Sequence, residues 1–233
     1  AQPCRLEYQL VDNKGQLLVD PKQVGRQLLS PKDLSTIRHL PALVEAGVDA
    51  LKIEGRAKQP EYVATVVRIY RQALDRLARL GSKQYDVSPS TERELAQVFN
   101  RGFTSGYLEG PPGIDLMSGR LTGNRGVLVG RIIRRRGQRA VVHLVADLAV
   151  GDRIQVWPAQ GSPVGLAVQT LYLNGQSTST VGQGQLVEIV LPAGPSVGDP
   201  VFKLSDARLL ARARASFRSP EAGQTVPVTI RAL

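Results

Sequence analysis

One cysteine, one methionine, one tryptophan and two histidines in 233 residues leave few side chains for redox, metal or histidine-dependent chemistry. A single thiol excludes an internal disulfide framework, though Cys4 could still ligate a metal together with cysteines from elsewhere. No stretch approaches the ~20 consecutive apolar residues of a membrane-spanning helix, and the N-terminus lacks the basic-then-apolar layout of a signal peptide. Cytoplasmic residence without a membrane partner is the resulting expectation. The two histidines, His39 and His143, stand in parts of the chain with different patterning, neither beside a nucleophile. No His-Glu-x-x-His, Gly-x-Ser-x-Gly or Cys-His arrangement is present, nor a P-loop or dinucleotide fingerprint. His39, before Leu40-Pro41, reads as a helix-end residue.

Positive charge, by contrast, is abundant. Thirty Lys+Arg against 20 Asp+Glu give +10, and because the rows hold 7 Lys, 23 of the thirty are Arg. Arginine's planar fork suits phosphate, and a basic surface attracts nucleic acid by counterion release whatever its sequence. A GC-rich genome writing Arg codons would produce the same count, so composition alone leaves both explanations open.

Residues 1–81 alternate strand and helix patterns. Residues 8–12 and 16–19 form a candidate hairpin around Asn13-Lys14-Gly15. Gln27-Leu28-Leu29 reads as a short strand running into Ser30-Pro31-Lys32-Asp33, which has the form of a capping box, and a helix is expected at once. Leu40-Pro41 should interrupt it, with Gly47 as its C-cap. Residues 48–53 then read as a buried strand. Pro60 opens the clearest helix, with a stripe of Val63, Val67, Tyr70, Leu74 and Leu77, and Gly81 closes it. Strand, helix, strand, helix over so short a span predicts parallel βα units.

Residues 82–125 read as a helical linker region, with a helix over 90–100 and a turn-rich stretch after it. From residue 126 to 218 the pattern changes to about six short strands split by Gly, Asp and Asn, closed by an Arg-rich helix from Ala207 to Phe217. This predicts a small β-barrel. The turns Val150-Gly151-Asp152 and Val197-Gly198-Asp199 each feed a strand in the same way and resemble the second-domain barrel of translation GTPases. Residues 219–233 look like the start of a further, truncated domain. With no initiator Met, the chain reads as a piece of something larger.

Six motifs occur in order: Cys4-Arg5, Leu28-Leu29-Ser30-Pro31-Lys32-Asp33-Leu34, the run from Gly47 through Glu54-Gly55-Arg56, Pro60-Glu61-Tyr62-Val63, Phe99-Asn100-Arg101-Gly102-Phe103-Thr104, and Gly123-Asn124-Arg125-Gly126-Val127. Together they resemble peptidase family U32, the collagenase-like family, from Ala1 to at least Phe217. The resemblance implies an α/β plus all-β architecture: the last βα units of a TIM-like barrel over 1–81, a helical connection, and a translation-factor-like β-barrel. It also implies that the missing N-terminal half of the barrel is a partner of this piece. Members of the family were named as proteases. Others hydroxylate C5 of a pyrimidine in ribosomal or transfer RNA, or support ubiquinone hydroxylation, with an iron–sulfur cluster held by barrel cysteines.

Carried over, Cys4 would be one cluster thiolate. Ser35 stands where some relatives carry Cys, and this piece alone, with one Cys, is expected to bind no cluster and to be inactive. Lys52, Glu54 and Arg56 alternate along and past the expected strand, so they could share one side of a barrel mouth. They are the candidate catalytic set, or else a structural ion pair. Arg125, Arg131, Arg134, Arg135, Arg136 and Arg139 cluster on the first β-hairpin as candidate RNA-binding residues, and Arg208, Arg212, Arg214 and Arg218 line the last helix. Either group could equally be a solvated face. The leading expectation is hydroxylation of a pyrimidine in ribosomal RNA. Peptidase activity and a non-catalytic RNA-binding module are the alternatives, and the oligomeric state is not legible.

Overall fold

The structure, a computed structural model, describes residues 2–119, 123–159 and 162–218, with Pro227, Thr229 and Arg231 beyond them. The expected further domain over 219–233 therefore lies almost wholly outside the described residues. The helices are α1 (Pro21–Val24), α2 (Leu40–Glu45), α3 (Pro60–Leu80), α4 (Pro89–Val98) and α5 (Ala207–Arg218). Four short strands belong to the first half: β1 (Gln27–Pro31), β2 (Asp33–Leu34), β3 (Phe103–Thr104) and β4 (Met117–Gly119). The second half holds β5 (Val127–Arg136), β6 (Arg139–Leu144), β7 (Leu148–Ala149), β8 (Arg153–Val156), β9 (Val164–Ala167), β10 (Leu171–Leu173), β11 (Gln176–Thr178), β12 (Thr180–Val181), β13 (Leu186–Val190) and β14 (Pro200–Ser205).

Local chemistry explains α3 well. Pro60 fits the first turn, where a missing N–H costs nothing, and Glu61 sits at the positive end of the helix dipole. Gly81, with φ 74°, ends the helix and donates its N–H to the Leu77 carbonyl. The buried stripe is shifted from the expected one: Val66, Ile69 and Leu77 are buried, whereas Val63 and Val67 are 42% and 46% exposed. Each fully buried aliphatic side chain is worth about 1.5–3 kcal/mol. Ile37, Leu40, Val87 and Leu95 complete this first core, with Leu51, Ile53, Tyr62 and Tyr70 packed on it. In α4, the Ser88 side chain caps the helix by accepting the Thr91 N–H at 3.2 Å, and Pro89 again takes the first turn.

Several expectations for the first half need correction. Ser30-Pro31-Lys32-Asp33 does not start a helix: Pro31 ends β1, and Asp33 lies in β2, because its carboxylate is taken by Arg101, far along the chain. Leu40-Pro41 opens α2 instead of interrupting a helix, with the proline in the first turn. Residues 48–53 form no strand, since no described segment pairs with them. β1 pairs antiparallel with β4, and the one parallel ladder among the described residues joins β2 to β3. The candidate hairpin over residues 8–19 is reduced to a single bridge, Val11 with Leu17, around a turn in which Asp12 accepts the Lys14 and Gln16 N–H groups.

The second half follows its alternation closely. Eight strands form one curled antiparallel sheet in the order β11-β10-β13-β6-β5-β14-β8-β9, and β7 pairs with β12 beside it. Inward residues such as Val129, Ile132, Val142, Leu144, Ile154, Val187 and Val201 make one core, with outward neighbours alternating along β6, β8 and β13, while Phe202 and Lys203 of β14 are buried as well. The two Val-Gly-Asp turns are alike in chemistry as well as sequence. Asp152, fully buried, accepts the N–H groups of Ala149 (3.0 Å) and Ala207 (2.8 Å), and Asp199, 5% exposed, accepts those of Ala159 (3.1 Å) and Ser196 (2.6 Å). Each carboxylate thereby replaces water for backbone donors that the turn strands.

Helix α5 ties the halves together. Arg212 and Arg68 both pair with Glu94 at 2.7 Å, and Arg214 pairs with Glu61 at 2.7 Å. Gln97, buried on α4, donates to the Lys203 carbonyl of β14 at 2.8 Å. No described helix is long and apolar enough to cross a membrane.

Candidate functional site

The strongest constellation in the first half is built where β2, the segment before α3 and the segment before β3 meet. Asp33 accepts the Arg101 N–H at 2.8 Å on one carboxylate oxygen, and the Arg101 guanidinium on the other at 2.6 and 3.3 Å. Both side chains are largely withdrawn from solvent, so the pair is a strong, charge-assisted clamp. Beside it the Lys58 ammonium lies 2.8 Å from the Phe99 ring centroid, and Arg101 stands 5.8 Å from the same ring. Burial pushes the Lys58 pKa below its ordinary value, Asp33 opposes this, and Arg101 and Arg5 add to the lowering. Burial, with Asp33 next in weight, raises the Tyr62 hydroxyl. Ala57, just before Lys58, holds φ 59°, a left-handed conformation that costs a non-glycine residue about 1–3 kcal/mol.

Arg101 thus clamps one carboxylate, Asp33, with the Lys58 charge beside it and the Arg5 charge felt at Lys58. The surplus is positive, and an aromatic face lies next to it. Such a site can hold an anionic group and orient it against Phe99.

Lys52, Glu54 and Arg56 alternate as expected even though no strand forms: all three are exposed, while Leu51 and Ile53 between them pack inward. The Glu54 carboxylate accepts the Arg56 N–H at 2.9 Å, and the Glu54 carbonyl accepts the Tyr62 hydroxyl at 3.4 Å. Glu54 therefore braces the turn that delivers Lys58, and the cluster touches this set through Tyr62. Sequence reasoning missed Lys58, Phe99 and Arg101 as members. Their available signal was position, since Lys58 follows Glu-Gly-Arg and Arg101 sits in Asn-Arg-Gly.

The arginines of the β5–β6 hairpin divide by partner. Arg131 donates to the Gly198 carbonyl, and Arg135 donates to the Pro195, Pro192 (2.6 Å) and Gly137 (3.0 Å) carbonyls, so both tie loops to the sheet. Arg139 pairs with Glu188 at 2.6 Å and lies over Tyr172. Arg125, Arg134 and Arg136 are exposed and make no ion pair with a described carboxylate. Of the α5 arginines, Arg212 and Arg214 are engaged in the clamps described above, and Arg208 reaches only Thr180 at 3.3 Å.

His39 ends a single helical turn, as expected, and its Nε2 lies 3.0 Å from Glu109. Ser105 donates to the same carboxylate at 3.0 Å. Serine and histidine both bond the acid and not each other, which is not the contact that activates a nucleophile. Cys4 is half-buried in the turn Pro3–Arg5. It is the chain's one cysteine, and among the described residues no group of three or more His, Cys, Asp or Glu is gathered to hold a metal ion. This donor set does not fit a four-thiolate iron–sulfur cluster within the chain.

A family model described as peptidase family U32 matches residues 1–118, which include every member of the Asp33 constellation. The chain is 30% identical over 212 residues to an uncharacterized protease of Methanocaldococcus jannaschii, covering 88% of this chain and 51% of that protein. It is 41% identical over 110 residues to a collagenase of Porphyromonas gingivalis, covering 47% of this chain and 26% of that protein. It is 30% identical over 195 residues to the 23S rRNA 5-hydroxycytidine synthase of Escherichia coli, covering 80% of this chain and 28% of that protein. The chain thus spans between about a quarter and a half of the length of these relatives.

Proposed function

The chain belongs to peptidase family U32, and from that membership we propose that it is part of an RNA-modifying enzyme that hydroxylates C5 of a pyrimidine in ribosomal RNA. The observation that carries this reading is the set of open guanidinium groups on the sheet: Arg125, Arg134 and Arg136 are exposed without a carboxylate partner among the described residues. Uncommitted arginines are what phosphate backbones recruit. The likeness to the rRNA hydroxycytidine synthase supports it, because 195 aligned residues are too many to lie within the 118 of the family match and so reach the sheet as well. In this reading the Asp33, Lys58 and Arg101 constellation holds an anionic part of the substrate, with Glu54 and Arg56 shaping its rim and Lys52 on the same exposed side. Cys4 is one cluster ligand, completed by thiolates from outside this chain.

The same proposal extends to architecture. Residues 1–81 are the last part of a TIM-like barrel, residues 82–125 a connection, and residues 126–218 a β-barrel domain. Exposed apolar side chains at Leu10, Leu17, Leu29, Val48, Val63 and Val67 support it, since they form surface that further barrel segments would bury.

Nucleoside mass spectrometry of ribosomal RNA from a strain lacking the gene is the test. Loss of one 5-hydroxypyrimidine, restored by the complete gene, is expected. An unchanged nucleoside profile, with gelatin degraded by the purified protein, would overturn the reading in favour of the peptidase that other relatives' names describe.

A further inference from the structure

The sequence holds two Asn-Arg-Gly triplets, Asn100-Arg101-Gly102 and Asn124-Arg125-Gly126, and the fold makes them twin turns. In each, the Asn side-chain oxygen accepts the N–H of the Gly two residues on, at 3.2 Å for Asn100 and 3.1 Å for Asn124. Both glycines have positive φ, 91° and 71°. The turns interlock: the Asn100 N–H donates to the Asn124 side chain at 3.0 Å, and the Arg125 N–H donates to the Asn100 carbonyl at 2.7 Å. The Asn100 side chain further donates to the Ala96 and Gly126 carbonyls, and that of Asn124 to the Leu204 carbonyl. A Cβ on Gly126 would lie 2.5 Å from the Lys203 carbonyl oxygen, so only glycine fits there.

This is a large investment of buried hydrogen bonds in the presentation of two arginines. Arg101 uses its position to clamp Asp33. Arg125 has no such partner: its guanidinium lies 5.8 Å from the Phe202 ring centroid, over an open cleft of about 500 Å³. Leu128, Pro200 and Phe202 supply the cleft's apolar surface, Arg125 and Arg131 its charge, and no carboxylate among the described residues lines it. Leu128 is 41% exposed although it starts a well-packed strand. Behind Phe202, Trp157 stacks at 5.4 Å in a tilted pair.

A guanidinium carried on an anchored backbone beside an apolar floor, with a second cation and no competing acid among the described residues, matches an aromatic ring bearing a phosphate. We propose that this cleft holds one unpaired nucleotide of an RNA strand, its base between Arg125 and the Leu128–Pro200 floor and its phosphate toward Arg131. The proposal rests on the RNA reading above and deepens it by naming single-stranded RNA and the place where one base is seated.

The chain's one tryptophan makes the test direct. The full chain is titrated at low salt with a labelled single-stranded oligoribonucleotide, following both label anisotropy and Trp157 emission, and then with the matching duplex and with cytidine monophosphate. Expected are quenching of Trp157 by the single strand, a loss of affinity of about tenfold or more in Arg125→Ser and separately in Leu128→Ser, and little change in the charge-matched control Arg79→Ser. Both Arg125 and Leu128 side chains are exposed, and a thermal melt of each variant verifies the fold. If the single strand binds wild type and both variants equally and leaves Trp157 unmoved, the cleft is refuted while the RNA reading stands. If wild type binds no RNA by either signal, the RNA reading fails and takes the cleft with it. Duplex binding as tight as the single strand, or cytidine monophosphate saturating the Trp157 signal at equal concentration, overturns the assignment to an unpaired nucleotide within a strand.

Discussion

Replacing Lys203 by Met should cost far more stability than any surface arginine does. Lys203 is 7% exposed in the middle of β14, its ammonium 2.7 Å from Asp206, 3.3 Å from Asp152 and 3.0 Å from the Asp147 carbonyl. Asp152 is fully buried and holds the turn before β8 to the start of α5, while Asp206 caps α5 by accepting the Leu209 N–H at 2.9 Å. Burial pushes the Asp206 carboxyl up, but Lys203 and the Leu209 and Arg208 N–H groups outweigh it and hold the pKa below the usual range. Methionine fills similar volume yet leaves two carboxylates facing each other without their cation. Breaking a buried pair from one side costs about 3–5 kcal/mol. At roughly 2–4 °C per kcal/mol for a domain of this size, the melting temperature should fall by about 6–20 °C. Trp157, packed on Phe202 next in sequence to Lys203, reports unfolding by its emission. Adding Asp206→Asn should recover part of the loss, and high salt should not, because the site is shielded from mobile ions. A single variant melting within about 2 °C of wild type would refute the network as the fastener between sheet and α5.

Arg101→Met leaves the half-buried Asp33 carboxylate without its clamp and should cost about 1.5–3 kcal/mol, read as faster hydrogen exchange at the Asp33 and Ser35 amides that pair β2 with the β3 segment; unchanged exchange would contradict it. Acid should destabilise the fold from a defined side. Burial raises Glu94, but Arg212 and Arg68 outweigh it, and like Asp206 it sits below its ordinary value when folded. Such groups contribute fully above the unfolded carboxylate range and lose that contribution as pH falls through their depressed folded values. The melting temperature should therefore be flat at mildly acidic pH and fall below about pH 4, with Lys203→Met making the fall smaller, because Asp206 without its cation has less of a depressed folded value to lose. A curve that stays level down to pH 3 would be incompatible. Arg134→Ser with Arg136→Ser should lower RNA affinity for all sequences and make the salt dependence shallower by about 1.4 in logarithmic slope, two single-strand phosphate contacts' worth; an identical slope would remove these side chains from the interface.

Legibility in the sequence divided along the range of the interactions involved. Helix α3 was readable because its signals are local, Pro60 at the first turn and Gly81 as a stop, whereas α4 was placed over 90–100 with its own local signals, the Ser88 cap and Pro89, passed over. The longer strands of the sheet were readable from alternation, but about six were expected where the described residues hold ten, β5 to β14, and the short β7, β11 and β12 were missed. What failed was decided at long range. Asp33 has the spacing of a capping residue, but a guanidinium 68 positions away outcompetes the helix for it. Residues 48–53 have strand composition, and composition cannot supply the neighbour that a ladder requires. Lys203 was also hidden, since a lysine in an alternating strand reads as outward-facing until the buried Asp152 of a distant turn is known. The candidate site was half legible for the same reason. Glu54 and Arg56 mark the right turn, but Lys58 and Arg101 gain their setting only when Phe99 packs between them.

Arginine count was the weakest of these signals, and partner assignment turns it into a strong one. Arg68, Arg101, Arg139, Arg212 and Arg214 are spent on carboxylates and Arg135 on loop carbonyls, while Arg131 gives one nitrogen to the Gly198 carbonyl and keeps the rest of its fork exposed at the cleft. Of those left open on the sheet, three fall at the two ends of one strand, Arg125 just before β5 and Arg134 and Arg136 at its close, while Arg153 opens β8. Ten residues of strand extend up to about 30 Å, so a single phosphate cannot serve both ends. The two ends also differ in kind. The Arg125 backbone is anchored by interlocked turns beside an apolar floor, whereas Arg134 and Arg136 stand at the exposed end of a hairpin. A guanidinium beside such a floor selects a ring and an orientation; those without one add only salt-dependent attraction. A strand of RNA lying along β5 would therefore take its register from the Arg125 end and only part of its affinity from the other, which is why base seating and salt slope should separate under mutation.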